Sequence, residues 1–141
     1  PDVIVINLAT NDACAFTTPE WIDEKTGKGY KMRINEDGSY HKEDLVSIQK
    51  AMGDFLAKLR KYNPDAYLIW GFGMLGTGLW ETVKEGVELY KKQSGDQKVM
   101  SLLLPDTTEE TFGARQHPGV KVHEAASKVL AEKINELLNN E

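Results

Sequence analysis

Two short segments of this chain carry side chains able to move a proton or hold a developing negative charge. In Leu8-Ala9-Thr10-Asn11-Asp12 an amide and a carboxylate stand side by side directly after an apolar run. An amide in that place can donate to an oxyanion; equally, Asn11 and Asp12 can cap the turn that follows. In Gly113-Ala114-Arg115-Gln116-His117-Pro118 a histidine precedes a proline, which restricts the backbone of His117 toward an extended form. An imidazole on a stiff loop can serve as general base, although a lone histidine is more commonly a surface residue of a turn. His123, beside Val122, reads as a structural contact, and His41, in a polar hairpin, as solvated. A third segment, Gly71-Phe72-Gly73-Met74-Leu75-Gly76, satisfies the Gly-x-Gly-x-x-Gly dinucleotide fingerprint. The acidic residue such a site needs about 20 positions on, at the end of the next strand, is missing. Asp96 comes before that strand and Asp106 well past it.

The elements that must position these groups follow from hydrophobic patterning. Val3-Ile4-Val5-Ile6 and Ala66-Tyr67-Leu68-Ile69-Trp70 are apolar, β-branched or aromatic runs without polar alternation, as is the segment 99–104, closed by Pro105-Asp106. Such runs suit parallel strands buried on both faces. Over residues 43–62, Leu45, Ile48, Met52, Phe55, Leu56 and Leu59 recur at steps of three and four, which predicts one apolar helix face that Asn63-Pro64 terminates. A second helix carries Leu79, Val83, Val87 and Tyr90 inward and ends near Gly95. A last helix, from about Val120, is expected to bury Val122, Ala126, Val129, Leu130, Ile134 and Leu137. Between the first strand and the first of these helices lies a polar stretch, residues 17–42, with a small hairpin at Asp37-Gly38. Alternating strands and helices predict an α/β domain with a parallel sheet. In such sheets ligands sit beyond the carboxyl ends of the strands, which singles out residues 9–12, 71–76 and 105–118.

At 141 residues the chain is sized for one domain, read here as 1–141. Its 40% hydrophobic and 28% charged residues are those of a globular protein, and no apolar run approaches the length of a membrane helix. A net charge of -5 argues against a nucleic-acid backbone as partner. Cys14 is the only cysteine, so neither an internal disulfide nor a cysteine-based metal site can form within the chain. Pro1-Asp2 leads straight into a buried-type strand, which requires neighbours, so a segment upstream is expected.

The two chemical segments occur together, in order and on matching elements. Val3-Ile4-Val5-Ile6-Asn7-Leu8-Ala9-Thr10-Asn11-Asp12 resembles the third conserved block of the SGNH (GDSL) hydrolases, Gly-x-Asn-Asp after a buried strand. Residues 113–123, GARQHPGVKVH, resemble their fifth block, in which the catalytic histidine precedes a proline. Asn63-Pro64-Asp65-Ala66-Tyr67-Leu68-Ile69-Trp70 and Gly73-Met74-Leu75-Gly76 are similar to the acetyl-xylan-esterase-like branch, carbohydrate esterase family two and its relatives. The resemblance covers essentially the whole chain. It implies a flavodoxin-like three-layer α/β/α sandwich, incomplete at the N-terminal side, and a cofactor-free, metal-free carboxylic ester hydrolase acting on an acetylated carbohydrate or other small ester. By the same resemblance Asn11 donates to the oxyanion, His117 is the general base, and Gly73, Met74 and Leu75 line the acyl or sugar pocket. Secretion or a periplasmic location is implied as well.

The family's Gly-Asp-Ser block has no counterpart here, since Ser39, Ser47, Ser94, Ser101 and Ser127 match no such block. The resemblance therefore implies a nucleophile upstream, or an inactive remnant. Two departures stand out. Ala9 replaces the third-block glycine, and Ala114 replaces the aspartate three residues before the histidine. A backbone carbonyl, Asp106, Glu109 or Glu110 is left to orient His117. A non-catalytic module whose sheet edge binds a partner chain is a further reading. Trp21, Tyr30 and Tyr40 either contact sugar rings or pack locally, and their exposure decides between the two.

Overall fold

The computed structural model describes residues 1–139; Asn140 and Glu141, the end of the segment assigned to the domain, lie outside the described residues. Its centre is a three-stranded parallel sheet in the order β1-β4-β5, with β1 Val3–Ile6, β4 Tyr67–Gly73 and β5 Val99–Leu104. β4 is flanked on both sides, pairing Val3 with Tyr67 through Ile6 with Trp70, and Leu68 with Val99 through Gly73 with Leu104. That central place explains why its sequence is apolar throughout: from Leu68 to Gly73 every residue is buried.

The two faces of the sheet are covered differently. Leu68, Trp70 and Phe72 join Ile48, Met52 and Leu56 of α2 (Lys42–Tyr62) and Val83, Val87 and Tyr90 of α3 (Trp80–Ser94) in one core. Each such side chain contributes about 2 kcal/mol of burial. Both helices end as their sequences predict: Asn63 closes α2, and Gly95, at φ 75°, caps α3 in the left-handed region. On the opposite face, Ile69 and Leu104 are buried on the side of the sheet where α4 (Val120–Asn139) packs against β5, burying its own Val122 and Ala126. The α/β sandwich read from the sequence is thus the architecture found. One expectation fails in degree: Val129, Leu130, Ile134 and Leu137 are only half-buried. The sheet beneath α4 is three strands wide, and Val5 on its edge strand stays 41% exposed, so the helix has little to press against.

Arg60, near the end of α2, ties the amino-terminal edge of the sheet together. Its guanidinium pairs with Asp96 at 2.8 Å and donates to the carbonyls of Asn63, Pro64, Ala66 and Lys98. The polar stretch folds as two small ribbons. The Asp37-Gly38 hairpin is present as a single bridge between Ile34 and Tyr40, with Gly38 at φ 84°. A second ladder, β2 (Trp21–Ile22) with β3 (Gly29–Tyr30), has strands too short to show in a hydrophobic pattern. Arg33 fastens this region to the start of α2 by bonding Asp44 and Glu43. His41 is not solvated as expected: it stands at the N-cap of α2, half-buried, with Nδ1 enclosed and without a hydrogen-bond partner among the described residues.

Candidate active site

Three parallel strands bring the segments that follow β1, β4 and β5 to one edge of the sheet, and a depression of about 540 Å³ opens there. Residues 7–12, Gly73, Met74 and Leu75, and His117, Pro118 and His123 line it. All five residues assigned to the site from sequence, Asn11, Gly73, Met74, Leu75 and His117, therefore border the same space.

Asn11 reaches it from an element the sequence did not disclose. After β1 the chain turns into α1 (Thr10–Ala15), and Asn11 is exposed in its first turn. The turn is made at Ala9, whose φ of 88° lies in the left-handed region, a conformation that glycine adopts without the cost a Cβ brings. Ala9 holds that conformation at a cost of about 1–2 kcal/mol, partly offset because its methyl is buried. Asn7 anchors the segment by donating its side-chain amide to the Gly71 carbonyl at 3.0 Å, and the Trp70 indole donates to the Leu8 carbonyl at 3.3 Å.

His117 sits on a closed loop. Gly113 N–H donates to the His117 carbonyl at 2.7 Å, Gly119 N–H to the Thr111 carbonyl at 3.0 Å, and Phe112 bridges Pro118. His117 itself is extended, at φ -80° and ψ 163°, as the following proline requires. Arg115 and Gln116 before it take φ values of 55° and 61°, a left-handed pair rare for residues with a Cβ. The result is that the Arg115 carbonyl lies 3.1 Å from Nδ1 of His117. A carbonyl can only accept, so Nδ1 carries a proton, and in the neutral ring Nε2 is then the nitrogen with the lone pair. Of the groups left open by the sequence, the carbonyl is the one that meets the ring. Asp106 is engaged elsewhere, accepting the amides of Gly76 and Thr107 at 2.8 and 2.9 Å.

The glycine fingerprint has a different explanation from nucleotide binding. Gly71 and Gly73 lie within β4, and a Cβ on Gly73 would come within 2.5 Å of the Leu104 carbonyl. The amide of Gly76, which a phosphate would need, is taken by Asp106, and α3 begins only at Trp80. Sequence reading missed Asn7 and His123 as lining residues. His123 lies six residues after His117, at the exposed start of α4, and only the fold shows both imidazoles at one depression. Exposure separates the aromatic residues: Trp21 and Tyr30 are 62% and 47% exposed, whereas Tyr40 stacks on Phe16 with ring centroids 4.1 Å apart.

A parallel α/β sheet with an amide and an oriented imidazole at its carboxyl edge defines the class, an SGNH-like hydrolase fold. Comparison with solved structures places the chain more narrowly. It is 45% identical to an acetyl xylan esterase, Est2A, from the rumen bacterium Butyrivibrio proteoclasticus, over 99% of this chain and 37% of that one, with a TM-score of 0.95. A family two carbohydrate esterase from Clostridium thermocellum, solved in complex with cellohexaose, matches at 27% identity over 99% of this chain and 37% of its own, with a TM-score of 0.72. A family two enzyme from Corynascus thermopiles, at 21% identity and a TM-score of 0.67, shares the fold, with 38% of its length covered. The chain's structural neighbours are thus carbohydrate esterases of family two, the branch its sequence resembles, and it spans little more than a third of them. No protein-family model and no curated protein matches it.

Proposed function

We propose that this chain is the histidine- and asparagine-bearing part of a serine carboxylic ester hydrolase that removes acetyl groups from carbohydrate. The nucleophile is a serine on a segment upstream of Pro1, which pairs along the open edge of β1. Next to that edge, Leu8, Ala9 and Asp12 line both the depression and a neighbouring apolar cleft with Phe55 and Trp70, so a segment seated there borders the site. In the reaction, Nε2 of His117 takes the serine proton as Oγ attacks the ester carbonyl. The amide of Asn11 donates to the tetrahedral oxyanion, the imidazolium protonates the departing sugar hydroxyl, and water releases acetate by the same steps in reverse order. The observation that carries this reading is the contact of the Arg115 carbonyl with Nδ1 of His117, which leaves Nε2 as the acceptor of the neutral ring, at the depression that Asn11 also borders.

The test is hydrolysis of p-nitrophenyl acetate by the protein with its upstream segment. The whole protein should turn the ester over, the 141-residue chain alone should not, and His117→Ala in the whole protein should fall to background. Undiminished hydrolysis by His117→Ala would remove the role assigned to the imidazole.

A further inference from the structure

We infer that Asp106 is a positioning residue of this site, which holds the 73–76 loop as a wall of the depression instead of orienting the histidine. Three residues of that short loop have backbone angles in the left-handed region: Gly73 at φ 127°, Met74 at 69° and Gly76 at 91°. For Met74 this conformation is unfavourable, so the loop does not hold its own shape. It is tied from outside by two consecutive residues after β5. One oxygen of Asp106 accepts the amides of Gly76 and Thr107, and the Thr107 hydroxyl donates to the Met74 carbonyl. The clamp thus grips the loop on both sides of Leu75. Met74 and Leu75 border the same space as His117 and Asn11, so releasing the clamp loosens the wall against which a substrate is held. The charge of Asp106 is not what the clamp uses, because a neutral amide oxygen accepts the same two bonds.

The effect on turnover rests on the esterase reading, while the clamp itself does not. In the full-length protein Asp106→Ala should lower kcat/KM for an acetyl ester by about ten- to a hundredfold, the range a small misplacement of substrate costs. Asp106→Asn should restore most of it with an unmoved pH profile. If Asp106 instead served as the acidic partner of His117, Asn would be as damaging as Ala and the pH profile would change. That result, or full activity in the alanine variant, overturns the proposal. Hydrogen exchange at Gly76 and Thr107 supplies an arm independent of catalysis: both amides should exchange faster in Asp106→Ala and remain protected in Asp106→Asn. Unchanged protection in the alanine variant overturns the clamp even if the protein hydrolyses no ester.

Discussion

The carbonyl of Arg115 stands 3.1 Å from Nδ1 of His117, two residues further along the same loop. A main-chain oxygen is the group that meets the ring, and Ala114, three residues before the histidine, supplies no carboxylate. The guanidinium of Arg115 has no part in this arrangement, so its side chain should be dispensable where its backbone angle is not. Arg115→Gly keeps the carbonyl and removes about 1–2 kcal/mol of left-handed strain, against about 0.4–1 kcal/mol of added freedom in the unfolded chain. Activity in the whole protein should stay near the parent and Tm should hold or rise slightly. Arg115→Val places a β-branched residue at φ 55° and should lower both. A glycine variant as inactive as His117→Ala would show that the side chain, not the carbonyl, matters.

Asn11 is exposed in the first turn of a six-residue helix and has no packing role to lose. Its removal should therefore be felt in the chemistry alone. For Asn11→Ala in the whole protein we expect kcat to drop by about a hundred- to a thousandfold, with KM and Tm little changed, as for loss of one oxyanion donor. Steady-state kinetics on a small acetyl ester separate the two constants. An unaltered kcat would leave Asn11 and Asp12 as turn residues.

What could be read from the sequence depended on the length scale of each feature. β4 and α2 announce themselves because long apolar runs and three-to-four spacing reflect burial over many residues. Their parallel arrangement then sends residues after each strand to one edge, which is why Asn11 and His117 border one depression although 106 positions separate them. α1 stayed hidden because it starts from a left-handed Ala9, a backbone angle that only a glycine would have advertised. The contact that orients His117 is made by a carbonyl that every residue possesses, so no side-chain motif marks it. The half-burial of α4 depends on how many strands lie beneath it, a property of the assembled sheet and not of the helix pattern.

Gly73 borders the depression, and its identity is dictated by its backbone. At φ 127° it crosses the end of β5 so closely that a methyl group would lie 2.5 Å from the Leu104 carbonyl. Gly73→Ala should cost about 3 kcal/mol, from strained backbone together with overpacking against main chain that cannot move aside. Thermal denaturation of the whole protein reads this directly. A variant within about 0.5 kcal/mol of the parent, the range of an ordinary surface substitution, would mean that the ends of β4 and β5 are not held together as described.

Acid should loosen the polar stretch before the core. The Asp44 carboxylate accepts the Arg33 guanidinium at 2.6 Å and the Arg33 amide at 2.7 Å. The side-chain bond from Arg33 is the main reason its carboxyl is held below the usual aspartate range, with the backbone bond adding to it and burial opposing. Because the folded carboxyl is the stronger acid, its stabilising contribution is complete above about pH 4 and is lost as pH falls through the folded value. The Asp44 side chain is 14% exposed but that of Arg33 is 51% exposed, so solvent screening keeps the contribution small. Asp44→Asn should lower Tm slightly at pH 7 and flatten its decline between pH 5 and pH 3, windows set by these ionisations. Asp23 and Asp37, each held low by hydrogen bonds within its own turn, keep part of the parent's acid slope in the variant. Melting curves across that range, repeated at high salt where the difference at pH 7 should shrink, provide the measurement. An asparagine variant with the parent's full pH dependence would show that the Arg33 pair does not fasten this region to α2.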